Sequence, residues 1–268
     1  MSDTTYILDN DATRNKVRER YGKIARERGS CCAPQGENNS SCCGTEADAK
    51  ANKLGYTVED VAASPDSAAI TLGCGNPTAM AQLKKGETVV DLGSGAGFDC
   101  FIAAKQVGEE GKVIGVDMTP DMISTARKNA VAGGFSQVEF RLGEIEALPV
   151  GDNQVDVIMS NCVINLSPDK PAVFRESYRI LKSGGRLSIA DVVATAEMPA
   201  EVKEDFANFT SCIAGAAMVE DVEHMLKDAG FAEVKITTNE DTREMINKWS
   251  SIGKPGDYVV SAIIEAVK

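Results

Sequence analysis

The chain has 268 residues, 43% of them hydrophobic, and carries 28 Lys and Arg against 40 Asp and Glu for a formal charge of −12. That apolar content supports a full core, one large domain with a smaller appended unit, and the negative charge, unrelieved by any basic run, excludes nucleic-acid and anionic-membrane partners. No window approaches the roughly 18 apolar residues of a membrane span and the N-terminus lacks an apolar signal core, so a cytoplasmic monomer is expected.

From about Asp11 to Arg28 the sequence is charged and helix-prone. The stretch "GSCCAPQGENNSSCCGTEAD" that follows is polar and rich in Gly, Ser and Asn, the composition of a flexible loop. It holds two tandem pairs, Cys31-Cys32 and Cys42-Cys43, of the chain's 8 cysteines. In a reducing cytoplasm such thiols serve metal binding or catalysis rather than a disulfide framework. The only histidine is His224, which argues against His-containing zinc sites and Cys-His catalytic units. It lies in "MVEDVEHMLKDAGF", a helical pattern that ends at Gly230, and reads as a solvated helix position.

Cys74 follows in a glycine-flanked turn, "LGCGNP". From Glu87 to about Val193 short apolar runs alternate with helical patterns: "ETVVDLG", "KVIGVDM", "QVEFRLG", "VDVIMSN" and "GRLSIAD" read as strands. That alternation predicts an α/β fold, a Rossmann-like parallel sheet with helices on both faces. After Pro199 come a helix through roughly Cys212, the helix around His224, and two further strands, "AEVKITT" and "YVVSAIIEAV". Three segments are expected: 1–68, helical and Cys-rich; 69–195, the cofactor domain; and 196–268, a smaller C-terminal α+β unit.

The first strand runs into Asp91-Leu92-Gly93-Ser94-Gly95-Ala96-Gly97, with a helix directly after. Glycines let the backbone turn tightly and approach a ligand, and the helix offers free N–H groups. Asp117 ends the second strand, where a carboxylate accepts ribose hydroxyls, with Met118 beside it. Glu144 and Ile145 follow the third strand, where an adenine ring would be bonded and sandwiched, and Asn161 ends the fourth. A P-loop is excluded because no Gly-Lys-Ser/Thr follows the glycines, and an NAD site fits less well because the spacing is G-x-G-x-G with Asp91 ahead of it. The arrangement resembles the class I S-adenosylmethionine-dependent methyltransferases, in which the glycine loop faces the methionine part of the cofactor and the sheet finishes with an antiparallel strand near the C-terminus.

Cys162, in "SNCVINL", stands just past the fourth strand, on the side of an open α/β sheet where ligands bind. A buried packing thiol is the plainer reading. Cys74, in its turn, and Cys212, at a helix end, are not placed like core filler, and three thiols converging near a donor methyl would suit a soft, thiophilic atom. Cys100, in "GFDCFIAA", reads as packing.

"LGCGNP", "DLGSGAGFDCFIAA", "VIGVDMTPDMI", "GEIEALP" and "SNCVINLSPDK" together closely resemble the arsenite S-adenosylmethionine methyltransferases of bacteria and archaea, from the first helix to beyond Cys212. The resemblance implies that Cys74, Cys162 and Cys212 hold arsenic(III), with Cys162 and Cys212 the indispensable pair. It also implies transfer of the sulfonium methyl to arsenite and methylarsenite, and a thiol co-substrate of the glutathione or thioredoxin type, thioredoxin being a partner. The tandem cysteines are either a passive tail or a device that captures arsenite or relays electrons. Leu72 in "LGCG" stands where eukaryotic members commonly carry Tyr, so any aromatic contact from that position is absent. Two rivals remain: a quinone-type methyltransferase, which has no need of the three thiols, and a non-catalytic arsenite-binding protein, which has no need of an intact cofactor motif.

Overall fold

A computed structural model of the chain describes residues 3–27, 55–63, 75–203, 205–250 and 252–268. Its first part comprises α1 (Asp3–Glu27), α2 (Val58–Ala63), α3 (Pro77–Met80), β1 (Thr88–Leu92), α4 (Phe98–Val107), β2 (Lys112–Asp117), α5 (Pro120–Gly133) and β3 (Val138–Leu142). There follow β4 (Val155–Asn161), α6 (Lys170–Ile180), β5 (Leu181–Ala194), α7 (Ala200–Lys203), α8 (Phe206–Thr210), α9 (Val219–Ala229), β6 (Ala232–Asn239), α10 (Arg243–Asn247) and β7 (Val259–Val267). Local sequence explains the boundaries. Helix α5 begins with Pro120 in its first turn, where a missing N–H costs nothing, and stops at Gly134, whose left-handed conformation returns its N–H to Ala130 and Val131.

The strands form one seven-stranded sheet in the order β3-β2-β1-β4-β5-β7-β6. Strands β1 to β5 run parallel and β7 inserts antiparallel between β5 and β6. The pleat sends alternate residues to opposite faces: Val89 and Val113 pack with Phe101 of α4 and Ile123 of α5, whereas Val90 and Ile114 pack with Phe174 of α6 and Leu226 of α9. Burial of both faces is why these strands read as continuous apolar runs. Edge strand β6, by contrast, is mostly exposed.

The last strand takes the sheet-finishing antiparallel place that the resemblance gave to "YVVSAIIEAV", with β6 paired to it, so the segment 196–268 shares the cofactor sheet. The structure alters the expected outline at two points. The first helix begins earlier than Asp11, at Asp3. The helix expected to run through Cys212 is two short ones, α7 and α8, and Cys212 lies beyond the second in a turn with φ 63°. His224 is exposed on α9, as its helical spacing suggests. Among the described residues, no helix is long and apolar enough to cross a membrane.

Candidate active site

Strands β1 and β4 are neighbours in the sheet although β2 and β3 intervene in sequence. The strand order reverses at that point, and the crevice outside such a reversal is where open α/β sheets bind ligands. The glycine loop leaves β1 and Cys162 leaves β4, so both open on the same crevice. Gly93 lets the two loops touch. Its φ is +70°, and a Cβ there would lie 2.4 Å from Cγ2 of Val163, far inside contact distance.

The crevice encloses about 1120 Å³ including its open mouth, and Asp91, Gly93, Gly95, Asp117, Met118, Ile145, Asn161 and Cys162 line it. Asp117 does more than face a ligand: its Oδ2 accepts from Gly95 N at 3.0 Å and its Oδ1 from Thr119 N at 2.8 Å, so the carboxylate shapes the glycine loop. Two expected cofactor residues stand back from the lining. Gly97 packs against aromatic rings, with Phe140 Cζ 2.7 Å from where its Cβ would be. Glu144 turns outward to α1, pairing with Arg18 Nη2 at 3.2 Å and Arg14 Nε at 3.4 Å, while Ile145 and Glu146 face the crevice.

Three residues of the crevice carry no motif in the sequence. Asp99 Oδ1 accepts from the Tyr56 hydroxyl at 2.6 Å, and Asn161 Nδ2 donates to Tyr56 Oη at 2.9 Å, to Asp99 Oδ2 at 3.2 Å and to Gly75 O at 2.8 Å. Arg14 reaches in from α1. Asp99 sits two positions after Gly97, inside a stretch where attention falls on Cys100, and only folding brings Tyr56 to it. Burial raises the pKa of Asp91, Asp99 and Asp117, with Asp99 reaching about 6, and at Asp91 the neighbouring Asp99 charge adds to it. Three buried carboxyls held above their ordinary range make a site that favours a cation, whose charge would offset theirs. Cys100 is buried in the core and its Sγ donates to Asp91 Oδ2 at 3.2 Å, a packing position.

Cys162 lines the crevice, and Cys212 lies buried behind it, outside the lining. Cys162 and Cys212 are buried, belong to one apolar cluster with Leu166 and Ile213, and have Trp249 packed against that cluster. The Cys212 thiol donates to the Cys162 carbonyl at 2.8 Å. Both cysteines have positive φ, 55° and 63°, a conformation costing an L-residue of order 1–3 kcal/mol and found where surrounding structure enforces it. Cys162 Sγ, Cys212 Sγ and a carboxylate oxygen of Asp191 lie within 4.8 Å of one another. Burial raises Asp191 to about 6 against the pull of Val192 N–H and the Lys170 charge. Cys74, the third thiol expected here, and Cys31, Cys32, Cys42, Cys43 and Leu72 lie outside the described residues. Asp191 was missed, although it ends the strand run "GRLSIAD" in the way Asp91 and Asp117 mark theirs.

A family model described as a methyltransferase domain matches residues 83–230. An arsenite methyltransferase of Halobacterium salinarum is 50% identical over 98% of this chain and 69% of its own length. One from Aquipseudomonas alcaligenes is 41% identical over 66% of this chain and 52% of its own, so the chain spans only about half of that relative. Among solved structures, an arsenic(III) S-adenosylmethionine methyltransferase from Chlamydomonas reinhardtii aligns with a TM-score of 0.61 and 31% identity, over 84% of this chain and 74% of that one.

Proposed function

The chain belongs to the arsenite methyltransferases, within the class I S-adenosylmethionine-dependent family, and from that premise we propose that it methylates arsenic(III) held by Cys162, Cys212 and Cys74. The observation that carries the reading is that Cys162, in the wall of the crevice built by the glycine loop, meets Cys212, from the turn after α8, with their sulfurs within 4.8 Å. S-adenosylmethionine supplies an electrophilic sulfonium methyl. Asp117 would hold the ribose hydroxyls, Ile145 would pack on the adenine, and the acidic wall of Asp91 and Asp99 suits the cationic methionine end, with Gly93, Gly95, Met118 and Asn161 shaping the contact.

Thiolates are soft ligands matched to arsenic(III). Bound by sulfur it is a pyramid with a lone pair, and that pair attacks the methyl in line while the sulfonium sulfur keeps the electrons of the broken bond. No proton leaves the nucleophile, so no general base is needed, consistent with a chain whose one histidine is exposed on α9. Holding the two reactants together contributes roughly 7–11 kcal/mol of the barrier at most. The arsenic that accepts the methyl is formally pentavalent, so return to the trivalent state takes two electrons, for which a thiol reductant of the glutathione or thioredoxin type is the source. A cytoplasmic monomer would meet such reductants.

The test is direct. Reduced protein is incubated with S-adenosylmethionine, arsenite and glutathione, and the arsenic is speciated by chromatography with elemental detection. Methylated arsenic that disappears in Cys162→Ser is expected; inorganic arsenic alone would refute the reading.

A further inference from the structure

Cys162 and Cys212 come from segments 50 residues apart in sequence, and something must hold their sulfurs at a chelating separation. The bonds that do so converge on Asn165. Its buried Nδ2, with two hydrogens, sits within hydrogen-bond distance of three acceptors, Asp191 Oδ1 at 2.9 Å, Val192 O at 2.6 Å and Cys212 O at 3.2 Å, so one hydrogen is shared. One amide therefore ties the short turn after Cys162, the end of β5 and the backbone of Cys212 itself. The turn is anchored independently where Ile164 N donates to Asp191 Oδ2 at 2.9 Å and Cys162 N to Ala190 O at 2.8 Å.

A second contact runs the same way from the opposite segment. A Cβ on Gly215 would lie 2.0 Å from the Asn165 carbonyl oxygen, so the Cys212 loop rests directly on the Asn165 backbone and only glycine permits that approach. Asp191 is close enough to both sulfurs to suggest a third ligand. Its oxygens, however, already accept from Ile164 N, Val192 N and Asn165 Nδ2, so the carboxylate is spent on the scaffold. Half-buried Lys170, whose charge faces Asp191 and Cys212, further disfavours a divalent cation there.

We propose that Asn165, oriented by Asp191, is the positioning residue of the thiol site: it clasps the Cys162 turn to the Cys212 loop and holds both cysteines in their left-handed conformations at the spacing one arsenic atom requires. The inference rests on the reading of these thiols as arsenic ligands. Side chains that orient ligands without touching the ligated atom typically change affinity about 10–100-fold when removed, and the two positive φ angles give the cysteines a reason to relax once the clasp is gone.

The experiment uses reduced full-length protein with Cys31→Ser, Cys32→Ser, Cys42→Ser and Cys43→Ser in every sample, so that the tandem thiols do not compete, and phenylarsenic(III), which needs two thiols, followed by the fluorescence of the single Trp249 and by counting the thiols lost. With the site otherwise wild type, the protein should bind one equivalent with loss of two thiols. Asn165→Ala should bind about 10–100-fold more weakly with S-adenosylmethionine affinity unchanged, and in turnover its KM for arsenite should rise while the KM for S-adenosylmethionine holds. Should that variant not fold, Asp191→Asn keeps the volume and swaps an acceptor oxygen for a donor; it should show the same split. Equal phenylarsenic(III) affinity in a folded variant, or a parallel loss of affinity for both ligands, would overturn the clasp alone. No binding with the site otherwise wild type would overturn the clasp together with the arsenic reading beneath it.

Discussion

Replacing Gly93 by Ala should damage stability and catalysis together, by an amount the local geometry sets. At φ +70° an alanine incurs about 1–2 kcal/mol for its left-handed backbone. The added Cβ would also lie 2.4 Å from Val163 Cγ2, 2.7 Å from its Cβ and 3.0 Å from its Cγ1, overpacking of the kind that costs about 1–3 kcal/mol. The sum, about 2–5 kcal/mol, is a large share of the 5–15 kcal/mol that holds a domain together. Gly95→Ala is the control, because its φ of +51° carries a similar backbone cost and a Cβ there meets nothing within 4 Å. Adding Val163→Ala to Gly93→Ala removes the 2.4 and 3.0 Å contacts and leaves the 2.7 Å one, so it should restore part of the loss, as a non-additive pair of about 0.5–3 kcal/mol. The assay is urea denaturation at constant m-value, beside calorimetric titration of S-adenosylmethionine. Methyl transfer to arsenite should fall further than cofactor affinity, since the residue pushed aside adjoins Cys162. Equal midpoints for Gly93→Ala and Gly95→Ala, or no recovery in the double variant, would refute the argument that the glycine exists to admit Val163.

Asp117→Ala removes two bonds that shape the glycine loop as well as the proposed ribose contact; with charge-assisted bonds worth about 1.5–3 kcal/mol each, S-adenosylmethionine affinity should drop at least about tenfold while phenylarsenic(III) binding persists, and calorimetry showing an unchanged cofactor affinity would contradict the assignment. Cys162→Ser and Cys212→Ser, near-isosteric exchanges, should abolish methylation of arsenite with little loss of stability, and the double variant should be hardly worse than either, as expected of groups that act as one unit; full activity in either single variant would remove that cysteine from the site. Asp99 is raised from 3.8 to about 6 by burial. The folded state therefore holds its proton more tightly than the unfolded one, and the stability this group contributes is complete below about pH 4 and lost as pH rises through about 6. Ligand-free wild type should accordingly lose stability relative to Asp99→Asn across that window and run parallel to it above; curves parallel throughout would show that Asp99 is not buried as described.

Much of this protein was legible in its sequence because the signals are local. Strand runs such as "ETVVDLG" and "VDVIMSN" read correctly since both faces of β1 and β4 are buried and leave no polar alternation. The glycine loop and the acid at the end of β2 were singled out by turn geometry and strand ends, which are written in neighbouring residues, and the two meet where Gly95 N donates to Asp117 Oδ2. Cys162 lies in the crevice lining, where its offset from a strand placed it.

What local sequence does not encode is which segments meet. Tyr56 and Asp99 share a 2.6 Å bond across 43 positions, and neither residue signals the other. The strands after residue 196 join the cofactor sheet because β7 pairs antiparallel with β5 along Arg186 to Ala194, a register set by long-range burial. Cys212 was expected on a helix; the chain leaves α8 before reaching it and turns through a left-handed residue instead. That turn exists because Asn165 and the Cys212 loop, 47 positions apart, bond to each other. The sequence determined the chemistry available, thiols and carboxylates beside a glycine loop. The resemblance named Cys162 and Cys212 as a pair, but only the tertiary structure brings their sulfurs within 4.8 Å, because that separation is held by hydrogen bonds between segments whose order along the chain says nothing of their distance in space.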